Sequence, residues 1–237
     1  AVTNSIWAIV PAAGSGRRMA AETPKQYLLV NGLPILEHTL RALLACPDIR
    51  GVVVVLDPSD RRADSVTSLS DPRVFKASGG AERADSVLSG LRSLTEYISL
   101  GDWALVHDAA RPCVSVSVLR ELIDRALSSG TGTVLAQAST DTVKQVGSNG
   151  LVAATLDRRS IWRAQTPQMF RLSELERALS SALESGVTVT DESMAMERLG
   201  YSVSVLEGPA TNIKVTLPAD LEFAEIILRR MNEESDS

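Results

Sequence analysis

The sequence predicts an α/β chain, a three-layer α/β/α sandwich around a mostly parallel, Rossmann-like sheet. Two observations predict it: short β-branched runs alternate with longer helical patterns, and a glycine-rich segment follows the first run directly. The runs Ile6–Val10, Val52–Leu56, Val74–Ala77, Trp103–His107 and Val134–Gln137 read as strands bounded by Gly, Pro or Asp. Between them, 35–44, 83–94 and 116–127 carry apolar residues every three or four positions, which right-handed crossovers would place on both faces of the sheet. From Asp141 to Arg159 the pattern changes to Thr142–Val146, the turn-rich Gly147-Ser148-Asn149-Gly150 and Leu151–Leu156, a β-hairpin. An isolated hairpin is marginal in water, so it needs its own body or a second copy of itself as partner. We expect a projecting dimerisation arm over residues 138–160 of a single domain spanning 1–237. Helices near 173–184 and 191–199, a strand at Val203–Leu206, a helix at 218–230 and a disordered tail at 232–237 complete the prediction.

Composition narrows the function. A chain of 237 residues with 44% hydrophobic content can bury a full sheet, and its net charge of −5 argues against nucleic acid as the main partner. Cys46 and Cys113 form no CxxC pattern and have no histidine cluster beside them, so both read as buried apolar side chains. The apolar runs are strand-sized, far short of a membrane span, and no signal segment opens the chain, so a cytoplasmic protein is expected.

The glycine-rich segment is Pro11-Ala12-Ala13-Gly14-Ser15-Gly16-Arg17-Arg18. Glycines let backbone N–H groups approach an anion closely. The segment is not a Walker A loop, and Met19 stands where a dinucleotide fingerprint needs its third glycine. Two arginines and then Lys25, after Pro24, add side-chain cations that suit a triphosphate. A tight turn with solvated arginines is the alternative.

The resemblance rests on this loop with Pro24-Lys25-Gln26 and continues through Gly79-Gly80, Glu82-Arg83-Ala84-Asp85-Ser86-Val87, Val106-His107-Asp108-Ala109-Ala110-Arg111-Pro112, Asp141-Thr142-Val143-Lys144, Thr166-Pro167-Gln168, Thr190-Asp191-Glu192 and Asn212-Ile213-Lys214-Val215-Thr216. In that order these blocks resemble the 2-C-methyl-D-erythritol 4-phosphate cytidylyltransferases of the non-mevalonate isoprenoid pathway, over nearly the whole chain. The resemblance implies the nucleotide-diphospho-sugar transferase type of sheet, with CTP and 2-C-methyl-D-erythritol 4-phosphate as substrates.

Each block also has a physical interpretation. Asp108 ends a strand at the carboxyl edge of the sheet, where open α/β folds bind ligands, and one carboxylate with triphosphate oxygens would hold Mg²⁺. Capping the next turn, or pairing with Arg111, is the alternative. Ser86 lies in a first helical turn, where a cap is the commoner role; the resemblance places it with Gly79, Gly80 and Ala109 in the nucleotide pocket. Thr142 and Arg158 flank the hairpin, and a hydroxyl with a guanidinium suits a phosphomonoester, although solvated hairpin residues would look the same. The resemblance implies that they reach the partner subunit's acceptor, that Arg111, Thr166 and Thr190 line the acceptor site, and that Lys214 is a cation in an otherwise apolar strand beside the triphosphate. His107 reads as structural and His38 as surface or packing.

A phosphomonoester has its second pKa near ~6 and needs no general base, and no Ser/His/Asp or Cys/His constellation is present. The expected chemistry is in-line attack on the α-phosphorus of CTP, with Arg18, Lys25 and Lys214 stabilising charge. Three alternatives stay open at this stage: a cytidylyltransferase for another polyol phosphate such as ribitol 5-phosphate, a non-catalytic nucleotide-binding protein, and a glycosyltransferase. The last usually pairs acidic residues at a strand end, where Asp108 stands alone.

Overall fold

Strand β1 (Ile6–Pro11) is buried on both sides because its neighbours in sequence alternate between two hydrophobic layers. Ile6, Ala8 and Val10 face one layer, and Trp7 and Ile9 the other. The computed structural model describes residues 4–14 and 23–235. Two short strands, β2 (Leu29–Val30) and β3 (Leu33–Pro34), precede β4 (Ile49–Leu56), β5 (Val74–Ser78), β6 (Trp103–Val106) and β7 (Gly132–Ala138). Then come the hairpin strands β8 (Val143–Val146) and β9 (Val152–Leu156), followed by β10 (Trp162–Arg171) and β11 (Val203–Glu207).

Seven of these form one sheet in the order β11-β7-β10-β6-β1-β4-β5. Every neighbouring pair is parallel except those made by β10, which runs antiparallel to both β6 and β7. The mostly parallel sheet is as expected. Val52 and Val54 of β4 join Ala8 and Val10 under α1 (Ile35–Ala45) and, after α2 (Arg83–Arg92), under α3 (Val116–Ser129). Val53 and Val55 join Ile9 under α2, α4 (Leu172–Glu184) and α5 (Glu192–Arg198). Strands buried on both faces read as continuous apolar runs rather than as alternation. Each fully buried Ile, Leu or Val adds about 1.5–3 kcal/mol of transfer free energy, which makes these two layers the main support of the site above them. A smaller cluster, Val30, Ile35, Cys113, Val215, Ala224 and Leu228, docks α6 (Pro218–Ser235).

The structure departs from the sequence expectations at four places. Strand β10 was not expected, because Pro167 and the glutamines around it break the apolar pattern. It is accommodated by a bulge: Ala164 pairs with Ala136 and Gln168 with Val134, so three residues of β10 stand opposite one of β7. The Thr166-Pro167 peptide within it is cis. The β2–β3 hairpin, turned by Asn31-Gly32 with both φ positive, was also missed, although Asn-Gly is its usual signal. Asn212–Thr216 is not a strand; backbone bonds from Asn212 N–H to the Pro209 carbonyl (3.1 Å), from Ile213 N–H to the Thr211 carbonyl (2.8 Å) and from Val215 N–H to the Ala110 carbonyl (2.8 Å), with side-chain anchors, hold it instead. Finally, helix α6 runs on to Ser235 through most of the tail expected to be disordered.

The hairpin β8–β9 forms a two-stranded sheet of its own, separate from the seven-stranded one. Both cysteines are buried and unpaired, as expected.

Candidate active site

The carboxyl ends of β1 and β6 open into two adjoining cavities. The larger, about 740 Å³, is lined by Pro11, Ala12, Ala13, Gly14, Lys25, Gly80, Ser86 and Ala109 among others. The smaller, about 290 Å³, is lined by Arg111, Gln165, Thr166, Gln168, Thr190 and Asp191. Arg83, Asp108 and Lys214 line both.

Local bonds explain the larger cavity. Ala12 N–H donates to the Val55 carbonyl (2.8 Å), and the Gln26 amide donates to the carbonyls of Ala12 (2.9 Å) and Gly14 (3.1 Å). That buried carboxamide closes the start of the glycine-rich loop, which gives Pro24-Lys25-Gln26 a structural reason beside Lys25. Gly79 must be glycine here, since a Cβ would stand 2.2 Å from that of Ala13. It supports the wall without lining the cavity. Ser86 is not a helix cap: Glu82 and Asp85 cap α2 reciprocally. The Ser86 hydroxyl instead accepts from Gly80 N–H (3.2 Å) and donates to the Glu82 carbonyl (3.2 Å), holding Gly80 at the cavity wall. Ser15, Gly16 and Arg18 lie outside the described residues.

Asp108 is the electrostatic centre. Its Oδ1 accepts from Arg83 Nε (3.0 Å) and Nη2 (2.9 Å), its Oδ2 from Lys214 Nζ (2.8 Å), and Arg111 Nε lies 3.9 Å away. Burial pushes its carboxyl pKa up, but Arg83, Lys214 and Arg111 outweigh burial and hold it well below the usual carboxylate range. Arg83 in turn forks onto Glu192, at 2.6 and 3.1 Å, and that glutamate is wholly buried. Burial lowers the Arg83 pKa, yet Glu192 and Asp108 raise it overall, so the guanidinium stays charged. Two carboxylates thus balance two of the three cations around Asp108.

The metal site expected at Asp108 does not fit this donor set. It would use Asp108 as its one protein carboxylate beside triphosphate oxygens, and both oxygens of that carboxylate already face cations, Arg83 and Lys214.

The smaller cavity is held by a second network. The β10 bulge turns Thr166 inward, and its hydroxyl accepts from Asp108 N–H (2.9 Å). Asn212 binds the Thr166 carbonyl (2.8 Å), while Gln168 ties the bulge to Asp191 (3.0 Å) and to Ser193 N–H (3.1 Å) at the start of α5. Arg111 donates to the Asn212 carbonyl (2.7 Å), and its buried Nε has no hydrogen-bond partner among the described residues. His107, wholly buried, lies between the Arg111 carbonyl (Nε2, 3.0 Å) and the Thr166 hydroxyl (Nδ1, 3.0 Å). Burial pushes its pKa down to about 4, so it is neutral at pH 7. His38 is a packing residue, with Nε2 on the Val30 carbonyl (2.7 Å).

The family model described as 2-C-methyl-D-erythritol 4-phosphate cytidylyltransferase (IspD) matches residues 6–230. The chain belongs to this cytidylyltransferase family. The enzyme of that name from Aliivibrio fischeri (strain MJ11) is 46% identical over 231 residues, covering 98% of this chain and 97% of the relative. That of Aeromonas hydrophila subsp. hydrophila is 49% identical over 225 residues, covering 95% and 90%. The crystal structure of the Francisella tularensis 2-C-methyl-D-erythritol 4-phosphate cytidylyltransferase superposes with a TM-score of 0.81 at 36% identity, covering 94% of this chain and all of that one.

Within this cytidylyltransferase fold, the chain brings Lys25, Gly80, Ser86, Ala109, Asp108, Arg111, Thr166, Thr190 and Lys214 together around the two cavities. It does not bring Thr142 and Arg158 there: they flank the exposed hairpin, where Arg158 donates to the Thr140 carbonyl. Arg83, Gln26, Gln168 and Glu192 stand within the motif blocks, but their roles are visible only in the fold. Arg83 pairs with groups 25 and 109 positions away, so only the motif blocks themselves could have pointed to it.

Proposed function

We propose that this chain transfers the cytidylyl group of CTP to 2-C-methyl-D-erythritol 4-phosphate, giving 4-diphosphocytidyl-2-C-methyl-D-erythritol and pyrophosphate. The observation that carries this is the shared wall: the larger cavity, with its glycine-rich edge, and the smaller, polar one meet at Arg83, Asp108 and Lys214. A direct transfer needs such a boundary, because the two reacting phosphates must meet without leaving their own sites.

In this scheme CTP occupies the larger cavity, its base toward Gly80 and Ser86, with Gly79 supporting that wall, and its triphosphate toward the loop 11–18. An oxygen of the acceptor phosphate forms a bond to the α-phosphorus while the α–β bridging bond breaks and pyrophosphate leaves. Lys25, Lys214 and Arg18 stabilise the developing charge. The acceptor is already a dianion at neutral pH, so no general base and no covalent enzyme intermediate are needed. Asp108 holds Lys214 and Arg83 in place and touches the acceptor; we assign it no metal, and Mg²⁺ enters only as part of the nucleotide's own complex.

We propose further that the active form is a homodimer. The arm β8–β9 exposes Val146, Leu151, Val152 and Leu156, the apolar surface a second copy would cover, and would carry Thr142 and Arg158 to the partner's acceptor phosphate. No helix among the described residues is long and apolar enough to cross a membrane, and the cytoplasm is the compartment we propose.

The test is a pyrophosphate-release assay with CTP, UTP, ATP and GTP against 2-C-methyl-D-erythritol 4-phosphate, ribitol 5-phosphate and a sugar 1-phosphate. Release with CTP and the methylerythritol phosphate supports the assignment. Release only with ribitol 5-phosphate, or only with a sugar 1-phosphate, overturns it.

A further inference from the structure

We propose that His107 is a positioning residue whose Nδ1 accepts the hydrogen bond donated by the Thr166 hydroxyl, so that Thr166 meets the acceptor substrate as a hydrogen-bond acceptor. It then selects a hydroxyl of that substrate rather than its phosphate. The selection half rests on the assignment of the smaller cavity to the acceptor.

The argument is one of donors and lone pairs. His107 Nε2 lies 3.0 Å from the Arg111 carbonyl oxygen, which can only accept, so Nε2 carries a proton. Nδ1 lies 3.0 Å from Thr166 Oγ1. In a neutral imidazole Nδ1 is then a bare lone pair, and the hydroxyl must donate to it. Burial disfavours a second ring proton; the Arg111 carbonyl and Asp108 favour it, the guanidiniums of Arg111 and Arg83 oppose it, and burial outweighs the favourable pair.

The Thr166 hydroxyl has one proton and two lone pairs. The proton goes to His107, and one lone pair takes Asp108 N–H (2.9 Å). One lone pair remains on a residue that lines the smaller cavity. A phosphate dianion has no proton to offer that lone pair, whereas a polyol hydroxyl has. An imidazolium would reverse the outcome: Nδ1–H would donate to Oγ1, and the hydroxyl proton would be free to serve a phosphate. His107 thereby sets which end of a polyol phosphate can lie against Thr166, leaving the phosphate to cationic groups.

The sequence has two histidines, His38 and His107, which makes a direct measurement simple. Nitrogen-15 NMR of histidine-labelled protein, with His38→Gln to assign the signals, should find His107 with a protonated Nε2 and a bare Nδ1 at neutral pH. A protonated Nδ1, in either the other tautomer or the imidazolium, overturns the proposal.

The kinetic arm uses Thr166→Val and Thr166→Ser. Thr166→Val should raise the acceptor KM about tenfold and leave the CTP KM within about twofold; Thr166→Ser should restore the acceptor KM. His107→Phe should repeat the Thr166→Val pattern, and equal effects on both KM values would mean a merely structural histidine. If the chain proves inactive with polyol phosphates while His107 carries its proton on Nε2, the functional assignment fails and the hydrogen-bond polarity stands.

Discussion

The larger cavity is walled mainly by backbone and small side chains, Pro11 to Gly14, Gly80, Ser86 and Ala109, whereas the smaller is walled by Arg111, Gln165, Thr166, Gln168 and Thr190. The first kind of wall recognises a ligand through shape and N–H groups, and it depends on the absence of side chains, as the 2.2 Å clash awaiting a Cβ at Gly79 makes plain. The second depends on side chains being present and oriented, so each needs a partner behind it: His107 for Thr166, Asn212 for Arg111, Asp191 for Gln168. Between the two lies a charge cluster that belongs to both. Substitutions should therefore sort by wall: those in the larger cavity act on CTP, those in the smaller on the acceptor, and those in the cluster on both.

The largest effect should come from Lys25→Ala, which removes a cation from the triphosphate side. Turnover should fall by roughly 10²–10³, the size expected of one preorganised electrostatic group, and near-normal steady-state turnover would refute the role. Next is Glu192→Gln, which leaves Arg83 with only Asp108 as countercharge in a buried setting. Loss of one partner of a buried pair should destabilise by about 3 kcal/mol, read by urea unfolding, and should raise both KM values. If only one KM moves, the cluster does not serve both walls.

The pH dependence follows from His107. Its folded pKa, about 4, lies below the unfolded value near ~6.5, so the unfolded chain binds the extra proton as pH falls through that window. Stability is therefore full above ~6.5 and is lost on acidification, by about 2 kcal/mol between pH 7 and pH 5. The depressed carboxylates of Asp108 and Glu37 add their own loss lower, beginning as pH falls into the ordinary carboxylate range and continuing below it. Unfolding midpoints unchanged between pH 7 and pH 5 would contradict a neutral buried His107.

Two smaller effects separate the walls most cleanly. Arg158→Ala should raise the acceptor KM about tenfold with little change for CTP, and equal shifts would mean that the arm does not reach the acceptor. Ser86→Ala frees the Gly80 N–H from its hydroxyl (3.2 Å) and should raise the CTP KM about fivefold, sparing the acceptor. A shift confined to the acceptor would reverse the assignment of the two cavities.

The sheet was legible wherever burial on both faces made an uninterrupted apolar run, as at Ile6–Val10 and Val52–Leu56. Strand β10 was not, because its bulge puts Gln165, Thr166 and Pro167 where a ladder would want apolar residues. Its pairing comes from β6 and β7, which no local pattern reports. The backbone-walled cavity was legible for the same reason that it works: glycines mark close approach. The network behind the side-chain wall was less so, since Arg83 and Glu192 are 109 positions apart and their pairing exists only in the fold. Asp108 was placed correctly at the sheet edge, but a lone carboxylate in a sequence does not reveal how many cations will surround it. Three do, and both of its oxygens face them.

The central claim is that one nucleotide and one acceptor occupy adjoining cavities and react across the Asp108–Lys214 boundary. A crystal structure with a non-hydrolysable CTP analogue and the polyol phosphate bound together tests it most directly. The account predicts the nucleotide against Gly14, Gly80 and Ser86, the acceptor against Arg111 and Thr166, and the α-phosphorus beside Lys214 in line with the acceptor phosphate. Both ligands in the larger cavity, or an α-phosphorus remote from Lys214, would contradict it.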